Sequence, residues 1–263
     1  MKEKLVSSNE IKTIQLQILD AVSEFCENKR LKYVLAYGTL IGAIRHHGYI
    51  PWDDDIDIVM PRPDYDKFLK EFNMNRNDSF RAIDTSIDVE YDLPFAKVHD
   101  TRTMIRETMY HQGKYGVYID VFPLDGYNHS TIKKMNYYGL LLNAKKAIFS
   151  PMRTMRKNLI IGIGKFFLLP FSVKWIIKKM QQLAIACSYE DCNKITSAFS
   201  VYGDKDVFEK KIFEETEFCT FEKHSYRIPS NYDEYLKTIY GDYMKLPPID
   251  KQVTHHSFIA WWL

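Results

Sequence analysis

Cysteine is scarce in this sequence, and the few cysteines form no paired motif. Cys26, Cys187, Cys192 and Cys219 are the only four among 263 residues, with no CxxC pair and no regular framework spacing. Zinc-binding and disulfide-stabilised domains usually show such patterns. We therefore predict four reduced thiols in a cytosolic protein. The first ten residues are polar and lack the apolar core of a secretory signal, so we do not expect export.

Internal repeats, low-complexity tracts and long glycine- or serine-rich linkers are also absent. Hydrophobic residues make up 46% of the chain and charged residues 27%, a balance typical of a folded soluble protein. We predict one tightly connected unit. Its parts are a core over residues 1–126, a helical insertion over 127–189, and a segment over 190–263 that completes the core and one wall of a site.

Acidic residues are missing from one long segment of the chain. Residues 127–189 contain no Asp or Glu but eleven Lys and Arg residues, so the rest of the chain has a net charge of −9. The apolar run at 159–177 is too interrupted by Lys165, Pro170 and Lys174 to span a bilayer comfortably. Two interpretations stay open: a segment lying on an anionic membrane surface, or a helical core segment with a solvated basic face. A nucleic-acid patch ranks lowest, because no nucleic-acid-binding signature accompanies the charges.

Capping and turn residues predict the first elements of the chain. Ser7 and Glu10 have the spacing of a capping box, and a helical stripe of apolar residues follows them. Residues 33–44 predict a short apolar strand, a tight turn at Gly38 and Thr39, and then a short helix. A second strand is expected to run beside this first one.

Four aspartates fall within five positions of that second strand, which the alternation over residues 53–59 predicts. On a strand Asp53, Asp55 and Asp57 share one face, and neighbours on that face lie about 7 Å apart. Such carboxylates can share one or two hard cations with phosphate oxygens, and Mg²⁺ fits best, with Mn²⁺ as the alternative. An acidic surface loop is the plain alternative. An EF-hand loop is a weaker one, because its glycine and distal glutamate are missing.

Asp120 is the one charge at the centre of an apolar strand pattern over residues 115–123. A buried carboxylate without a partner is costly, so this residue needs an explanation. If its strand pairs beside the acidic one, Asp120 completes a three-carboxylate site and can accept the proton of an attacking hydroxyl. The alternative is a structural aspartate whose partner is Lys114 or Lys97.

Three blocks of the sequence resemble those of one known family. Residues 37–58, YGTLIGAIRHHGYIPWDDDIDI, resemble the signature of the LicD family of phosphocholine transferases. Residues 115–126, YGVYIDVFPLDG, and residues 240–248, YGDYMKLPP, followed by His255 and His256, resemble its second and C-terminal blocks. The last block also predicts a helix that ends near its glycine and a wall of the site. We give the histidine pair no catalytic role.

The resemblance implies a nucleotidyltransferase-like fold of α/β or α+β class for the core, built around a mixed sheet with flanking helices. Gly38 and Thr39 would form the turn on the phosphate side, and Asp55, Asp57 and Asp120 would be the catalytic, metal-binding carboxylates. Many nucleotidyltransferases have Gly-Ser where this chain has Gly-Thr, so the hydroxyl is retained.

The resemblance also implies a reaction, the transfer of phosphocholine from CDP-choline to a sugar hydroxyl of a teichoic acid or lipo-oligosaccharide precursor, with CMP released. Arg45 and Lys97 are the basic residues nearest the blocks, and we expect them to stabilise charge on the transferred phosphoryl group. Trp52 and Tyr118 are candidates for holding the quaternary ammonium by cation–π contact. For Arg45 and Lys97 the alternative is ordinary surface charge, and for Trp52 and Tyr118 it is a place in the core.

Partners and competing functions follow from this interpretation. A glycan acceptor carried on a polyprenyl lipid would be met at the inner face of the cell membrane, where the basic segment would make peripheral contact; nucleic acid is not expected. One alternative is a glycosyltransferase that uses an Asp-x-Asp metal site on a nucleotide sugar. Another is a non-enzymatic module that binds calcium or lipid.

Overall fold

A mixed sheet of seven strands lies at the centre of the fold. The computed structural model describes residues 4–74, 76–107, 114–149, 170–254 and 258–263. The main path of the sheet contains, in spatial order, Val34–Leu35 (β2), Asp57–Pro61 (β3), Tyr118–Gly126 (β7), Ala96–Asp100 (β5) and Phe80–Ile83 (β4). Lys194–Thr196 (β8) pairs with the end of β7, and Val207–Glu209 (β9) pairs with β8. Strands β3 and β7 are parallel, and the other pairs of this sheet are antiparallel.

Two smaller sheets and six α-helices surround it in the described residues. The small sheets are Lys4–Leu5 (β1), Phe258–Trp262 (β12) and Thr103–Glu107 (β6), and the hairpin of Thr216–Phe221 (β10) and His224–Pro229 (β11). The helices are Ser8–Lys29 (α1), Tyr37–Ile41 (α2), Arg62–Glu71 (α3), His129–Phe149 (α4), Val173–Ala184 (α5) and Tyr232–Tyr240 (α6). A π-helical turn, Gly42–His46, follows α2, and short 3-10 turns lie at Gly203–Asp206, Lys210–Phe213 and Ile249–Lys251.

Helix α1 begins where the sequence predicts. The backbone N–H of Glu10 donates to the Ser7 hydroxyl at 3.3 Å, and the N–H of Ser7 donates to the Glu10 carboxylate at 2.8 Å. Both bonds of the capping box are therefore present, and they satisfy backbone donors that a helix end otherwise leaves free. The apolar stripe that follows is buried in the main core.

All nine residues of β7 are buried, which explains its almost continuous apolar sequence. Its two charged residues have partners. Asp120 accepts a hydrogen bond from Lys97, and Asp125 accepts two from the guanidinium of Arg62, at 2.6 and 2.8 Å. Since a buried charge is tolerated only when paired, these contacts allow the strand to pass through the core.

The acidic strand starts later than the sequence predicts. Strand β3 begins at Asp57, so Asp53, Asp55 and the residues between them precede it as irregular chain. The expected turn at Gly38 and Thr39 is also wrong, because both residues lie in the first turn of α2, directly after the first strand. The expected pairing of the two strands is confirmed, and its direction is antiparallel. The N–H of Asp53 donates to the carbonyl of Ile50 and closes a turn before the strand. The alternation of residues in this segment did not predict that turn.

The prediction of four reduced cysteines is wrong for two of them. Cys187 and Cys192 form a disulfide across a five-residue separation, whereas Cys26 and Cys219 are free. The pair lies beside Gly126 at the end of β7, where β7 meets β8. Spacing alone did not indicate it, because the turn that joins α5 to β8 is what brings the two sulfurs together.

The described part of the basic insertion is a helical pair. Helices α4 and α5 pack on each other through Leu142, Ile176, Ile177 and Met180, while Lys174 on α5 is exposed. Residues 150–169, which include most of the basic apolar run, lie outside the described residues. Among the residues that are described, no helix combines the length and the apolarity needed to cross a bilayer.

Gly116, just before β7, is a position where any side chain should disrupt the fold. A Cβ there would lie 1.9 Å from the carbonyl oxygen of Asp100 and 2.5 Å from the hydroxyl of Thr103. Because backbone must move to relieve this overlap, we expect Gly116→Ala to lower the free energy of unfolding by about 3 kcal/mol. Urea unfolding measures this change in the free energy of unfolding. Gly139→Ala is the matched control, since its Cβ would meet only Met180 at 3.8 Å and helix propensity favours alanine. Equal stability of the two variants would contradict the overlap.

His99 on β5 should make stability depend on pH. Burial lowers the pKa of its imidazole to about 4, and the ring accepts a hydrogen bond from the N–H of Gly116 at 3.3 Å. An unfolded imidazole titrates near 6.5, so as pH falls the unfolded state binds the proton first. This contribution to stability is therefore lost between about pH 6.5 and pH 4, and it is on the order of 2–3 kcal/mol.

The test compares urea midpoints of the wild type and His99→Asn across that range. Asparagine keeps an acceptor near the same place but has no proton to gain. We expect the midpoint of the wild type to fall more steeply with acid than that of the variant. Parallel curves would show that His99 titrates normally in the folded protein.

Candidate active site

One cavity of about 520 Å³ brings the predicted acidic residues together with aromatic rings. Residues from five places in the chain build it: the start of α2, the segment before β3, the approach to β5, the middle of β7 and the turn after β8. Its lining residues are Tyr37, Gly38, Asp53, Asp55, Asp57, Phe95, Asp120, Phe122, Phe199, Ser200, Val201 and Tyr202.

Parallel strand pairing places Asp57 directly beside Asp120. The two residues are register partners on β3 and β7, so their side chains leave the same face of the sheet on strands about 5 Å apart. The N–H of Asp57 donates to the Thr39 hydroxyl at 2.8 Å, and the N–H of Asp120 donates to the carbonyl of Ile56 at 2.9 Å. Thr39 is buried and orients the backbone that carries Asp57.

The carboxylates of the cavity repel each other. Burial raises the pKa of Asp57 well above its usual range, and the charges of Asp55, Asp120 and Asp53 raise it further while Lys97 opposes them. Burial and the neighbouring Asp55 likewise raise the pKa of Asp53 to about 7. A cluster in this state gains stability from any cation that enters it.

The structure offers two overlapping sets of carboxylates for a metal ion. Oxygens of Asp53, Asp54 and Asp55 lie within 4.8 Å of one another. Asp55 also lines the cavity with Asp57 and Asp120, the set that the sequence indicates. Both consist of the hard oxygen ligands that Mg²⁺ and Mn²⁺ take. The second set faces the cavity and is more buried, so it fits a cation that must also contact a substrate.

Lys97 pairs with one of these carboxylates. Its Nζ donates to Asp120 at 2.6 Å, and the side chains of both residues are almost fully buried. The same ammonium lies 3.3 Å from the centroid of the Tyr118 ring. Lys97 thus neutralises one of the carboxylates and occupies one face of Tyr118.

Arg45 and Trp52 lie away from the lining of the cavity. The guanidinium of Arg45 donates to the carbonyls of Tyr243 and Lys245, which ties the π-helical turn to the C-terminal block. Trp52 packs its ring edge-on against His46, with centroids 6.3 Å apart. Gly38, Asp55, Asp57 and Asp120 are brought together in the cavity, whereas Thr39, Arg45, Lys97 and Trp52 are placed behind or beside it. Contact of these last four with a substrate stays a prediction.

The C-terminal block supports the wall of the cavity from outside. Helix α6 ends at Tyr240, before Gly241 with a φ of 70°, as the sequence predicts. The hydroxyls of Tyr240 and Tyr202 are 2.6 Å apart, and the Tyr202 ring lines the cavity. His255 and His256 lie outside the described residues.

Sequence reasoning missed most of the aromatic residues of the site. Phe122 could have been found, because it is two positions after Asp120 on the same face of one strand. Tyr37 is the first residue of the sequence block at 37–58 and directly precedes Gly38. Phe199 and Tyr202 lie in a turn without a motif, far along the chain from the acids, and no local signal marks them.

Comparisons with known proteins identify relatives of this chain. A family model described as "LicD/FKTN/FKRP, nucleotidyltransferase domain" matches residues 30–158, which include all four aspartates of the cavity. The lipopolysaccharide cholinephosphotransferase LicD of Haemophilus influenzae is 31% identical over 265 residues, which cover 96% of this chain and 97% of that protein.

Two shorter matches are to uncharacterized proteins of Rickettsia. One from Rickettsia typhi is 37% identical over 59 residues, 21% of this chain and 19% of that protein. One from Rickettsia prowazekii is 42% identical over 48 residues, 18% of each. Together with the carboxylate cavity, the full-length match defines an enzyme of the transferase class. The chain belongs to the LicD family.

Proposed function

We propose that this protein transfers phosphocholine from CDP-choline to a sugar hydroxyl of a cell-surface glycan precursor and releases CMP. The acceptor would be a lipopolysaccharide, lipo-oligosaccharide or teichoic acid precursor. The full-length likeness to a lipopolysaccharide cholinephosphotransferase supports the transferred group. The single observation that carries the proposal is the register of Asp57 beside Asp120 in the lining of a cavity of about 520 Å³.

A bound Mg²⁺, or Mn²⁺ in its place, would be held by Asp55, Asp57 and Asp120, with Asp53 close by. The residues fit it, because burial and the neighbouring carboxylates raise the pKa of Asp57 and Asp53, and a cation among them would relieve that repulsion. When bound, the ion supplies positive charge to the phosphate oxygens of the donor. The core would accordingly be nucleotidyltransferase-like, with the start of α2 facing the phosphates.

The residues of the chain would act mainly by positioning and by proton transfer. The oxygen of the acceptor hydroxyl forms a bond to the phosphorus of phosphocholine, and the bond from that phosphorus to CMP breaks, with CMP taking the electron pair. Asp120 lines the cavity beside Asp57 and would accept the hydroxyl proton. Lys97, bonded to the same carboxylate, would hold its orientation and lower the charge that the anionic donor meets.

A test of the function is the release of CMP from CDP-choline with Mg²⁺ and a sugar or lipopolysaccharide acceptor. We expect release that depends on both metal and acceptor. UDP-sugar turnover without CMP release would favour the glycosyltransferase alternative, in which the same acids hold the metal on a nucleotide sugar. No turnover of any donor, with calcium or lipid binding intact, would favour the non-enzymatic module.

We also propose that the paired helices α4 and α5 contact an anionic membrane at its inner face. Exposed aromatic and apolar side chains there lie among exposed lysines, and residues 127–189 contain no acid to repel anionic lipid. The exposed residues are Lys133, Lys134, Tyr137, Leu140, Lys174, Trp175 and Lys178. Flotation with vesicles of anionic lipid should recover the protein, and changing the four lysines to glutamine should abolish recovery. Equal recovery of both proteins would remove the membrane from the proposal.

A further inference from the structure

Five aromatic rings line the active-site cavity together with its carboxylates. The rings are those of Tyr37, Phe95, Phe122, Phe199 and Tyr202. Nothing in the metal site or the proton transfer uses them. A polar donor would leave these rings unused unless one of its groups binds to aromatic faces.

The rings are packed into a continuous surface. Phe95 and Phe122 have centroids 4.2 Å apart, Phe122 and Tyr37 are 5.7 Å apart, and Tyr37 stacks on Tyr202 at 5.2 Å with an interplanar angle of 25°. Rings that contact each other in this way lose little further freedom when a ligand binds. The surface is therefore preorganised for a group that binds to aromatic faces.

Hydrogen bonds behind the wall fix two of its rings. The hydroxyl of Tyr37 donates to the buried carboxylate of Asp206 at 2.7 Å, and Tyr37 holds a φ of 48°, which costs energy in a residue other than glycine. The hydroxyl of Tyr202 is bonded to that of Tyr240. A carboxylate that accepts from a phenol also makes the ring more electron-rich, which strengthens its attraction for a cation.

Charge in the cavity points to the same kind of ligand. The lining includes four carboxylates and, among the residues that the structure describes, no lysine or arginine. Tyr118, a candidate for a cation-binding ring from the sequence, already has the Lys97 ammonium over its face. A ligand group that is both cationic and apolar on its outside suits a cavity lined by both carboxylates and aromatic rings.

We propose that Tyr37, Tyr202, Phe95 and Phe122 form the subsite that selects a quaternary ammonium headgroup, with Asp206 as a positioning residue behind Tyr37. This inference rests on the proposed function and names the part of the site that recognises the transferred group. A primary ammonium of the same phosphoester keeps its hydration and gains less from ring faces. The site therefore prefers phosphocholine to phosphoethanolamine, and to the neutral tert-butyl isostere, by about tenfold in affinity.

Calorimetric titration of the full chain with Mg²⁺ tests the preference without turnover. Its ligands are phosphocholine, phosphoethanolamine, the neutral isostere and CMP. Tyr202→Leu and Phe95→Leu should lose most of the preference for phosphocholine, whereas Tyr202→Phe, which keeps the ring, should retain it. Phe218→Leu is the matched control, because Phe218 is exposed on the β10 hairpin and outside the cavity lining. Thermal unfolding without ligand shows that each variant is folded.

Asp206→Asn tests the positioning residue by the ratio of the two affinities. We expect the phosphocholine to phosphoethanolamine ratio to fall a few-fold while CMP affinity stays unchanged. A purely structural role would lower the melting temperature and leave that ratio as in the wild type.

The outcomes separate this inference from the proposed function. Equal affinity of the wild type for phosphocholine and phosphoethanolamine, or an unchanged ratio in Tyr202→Leu, overturns the subsite even if CMP is released from CDP-choline. Loss of CMP affinity in Tyr202→Leu with phosphocholine unaffected also overturns it, because the wall then binds the base. Absence of CMP release with the expected affinity ranking would instead contradict the proposed function alone.

Discussion

Asp57→Asn should abolish transfer while making the metal-free protein more stable. Asp57 is half-buried beside Asp55 and Asp120, and the pKa of its carboxyl is raised well above the usual range by desolvation and by these charges. The neutral amide removes that repulsion, so we expect a higher melting temperature without metal. It also removes a ligand from the centre of the cation site, so transfer should fall about a thousandfold or more. CMP release and thermal unfolding, each with and without Mg²⁺, measure the two effects.

A comparison with Asp54→Asn decides which carboxylates hold the cation. Asp54 belongs to the cluster of Asp53 and Asp55 but is not part of the cavity lining. If the cavity set is correct, Asp54→Asn keeps most activity and most of the stabilisation that Mg²⁺ gives. A loss in Asp54→Asn equal to that in Asp57→Asn would assign the ion to the outer cluster. Full activity of Asp57→Asn would contradict the proposed site altogether.

The acidic half of the site could be predicted because it depends on local pattern and on one pairing. Alternation placed Asp55 and Asp57 on a common side, and the apolar context of Asp120 predicted a strand buried next to them. The structure confirms that pairing, with Asp57 opposite Asp120. The strand itself starts only at Asp57. Asp53 and Asp55 therefore face the cavity because of the turn at residues 50–53, and not because side chains alternate along a strand.

The aromatic half could not be predicted, because tertiary packing assembles it. Tyr202 reaches the cavity from a turn about 80 residues beyond Asp120, and its orientation depends on the stack with Tyr37 and the bond to Tyr240. Asp206 looks like one more surface acid in the sequence. Only the fold shows that it is buried and bonded to Tyr37. The Cys187–Cys192 disulfide was missed for the same reason.

Removing the ammonium of Lys97 should destabilise the protein severely. Lys97 and Asp120 are buried register partners on β5 and β7, and their side chains form an ion pair of 2.6 Å. Lys97→Met keeps the length of the side chain but removes the ammonium that forms the ion pair with Asp120, next to Asp57. Breaking a buried pair from one side costs about 3–5 kcal/mol, and we expect a loss of that size in urea unfolding. Lys114→Met, which removes an exposed lysine paired with Asp88 and Glu90, should change stability little.

The double variant Lys97→Met with Asp120→Asn tests whether the stability lost in Lys97→Met comes from the Asp120 carboxylate or from lost packing. If the cost comes from the carboxylate left behind, neutralising it should restore most of the stability, and the two changes should be strongly non-additive. If the cost comes from the aliphatic stem of Lys97 against Tyr118, the double variant should be at least as unstable as Lys97→Met. The first result would mean that the ion pair with Lys97 is what makes the Asp120 carboxylate tolerable in the buried part of the active site.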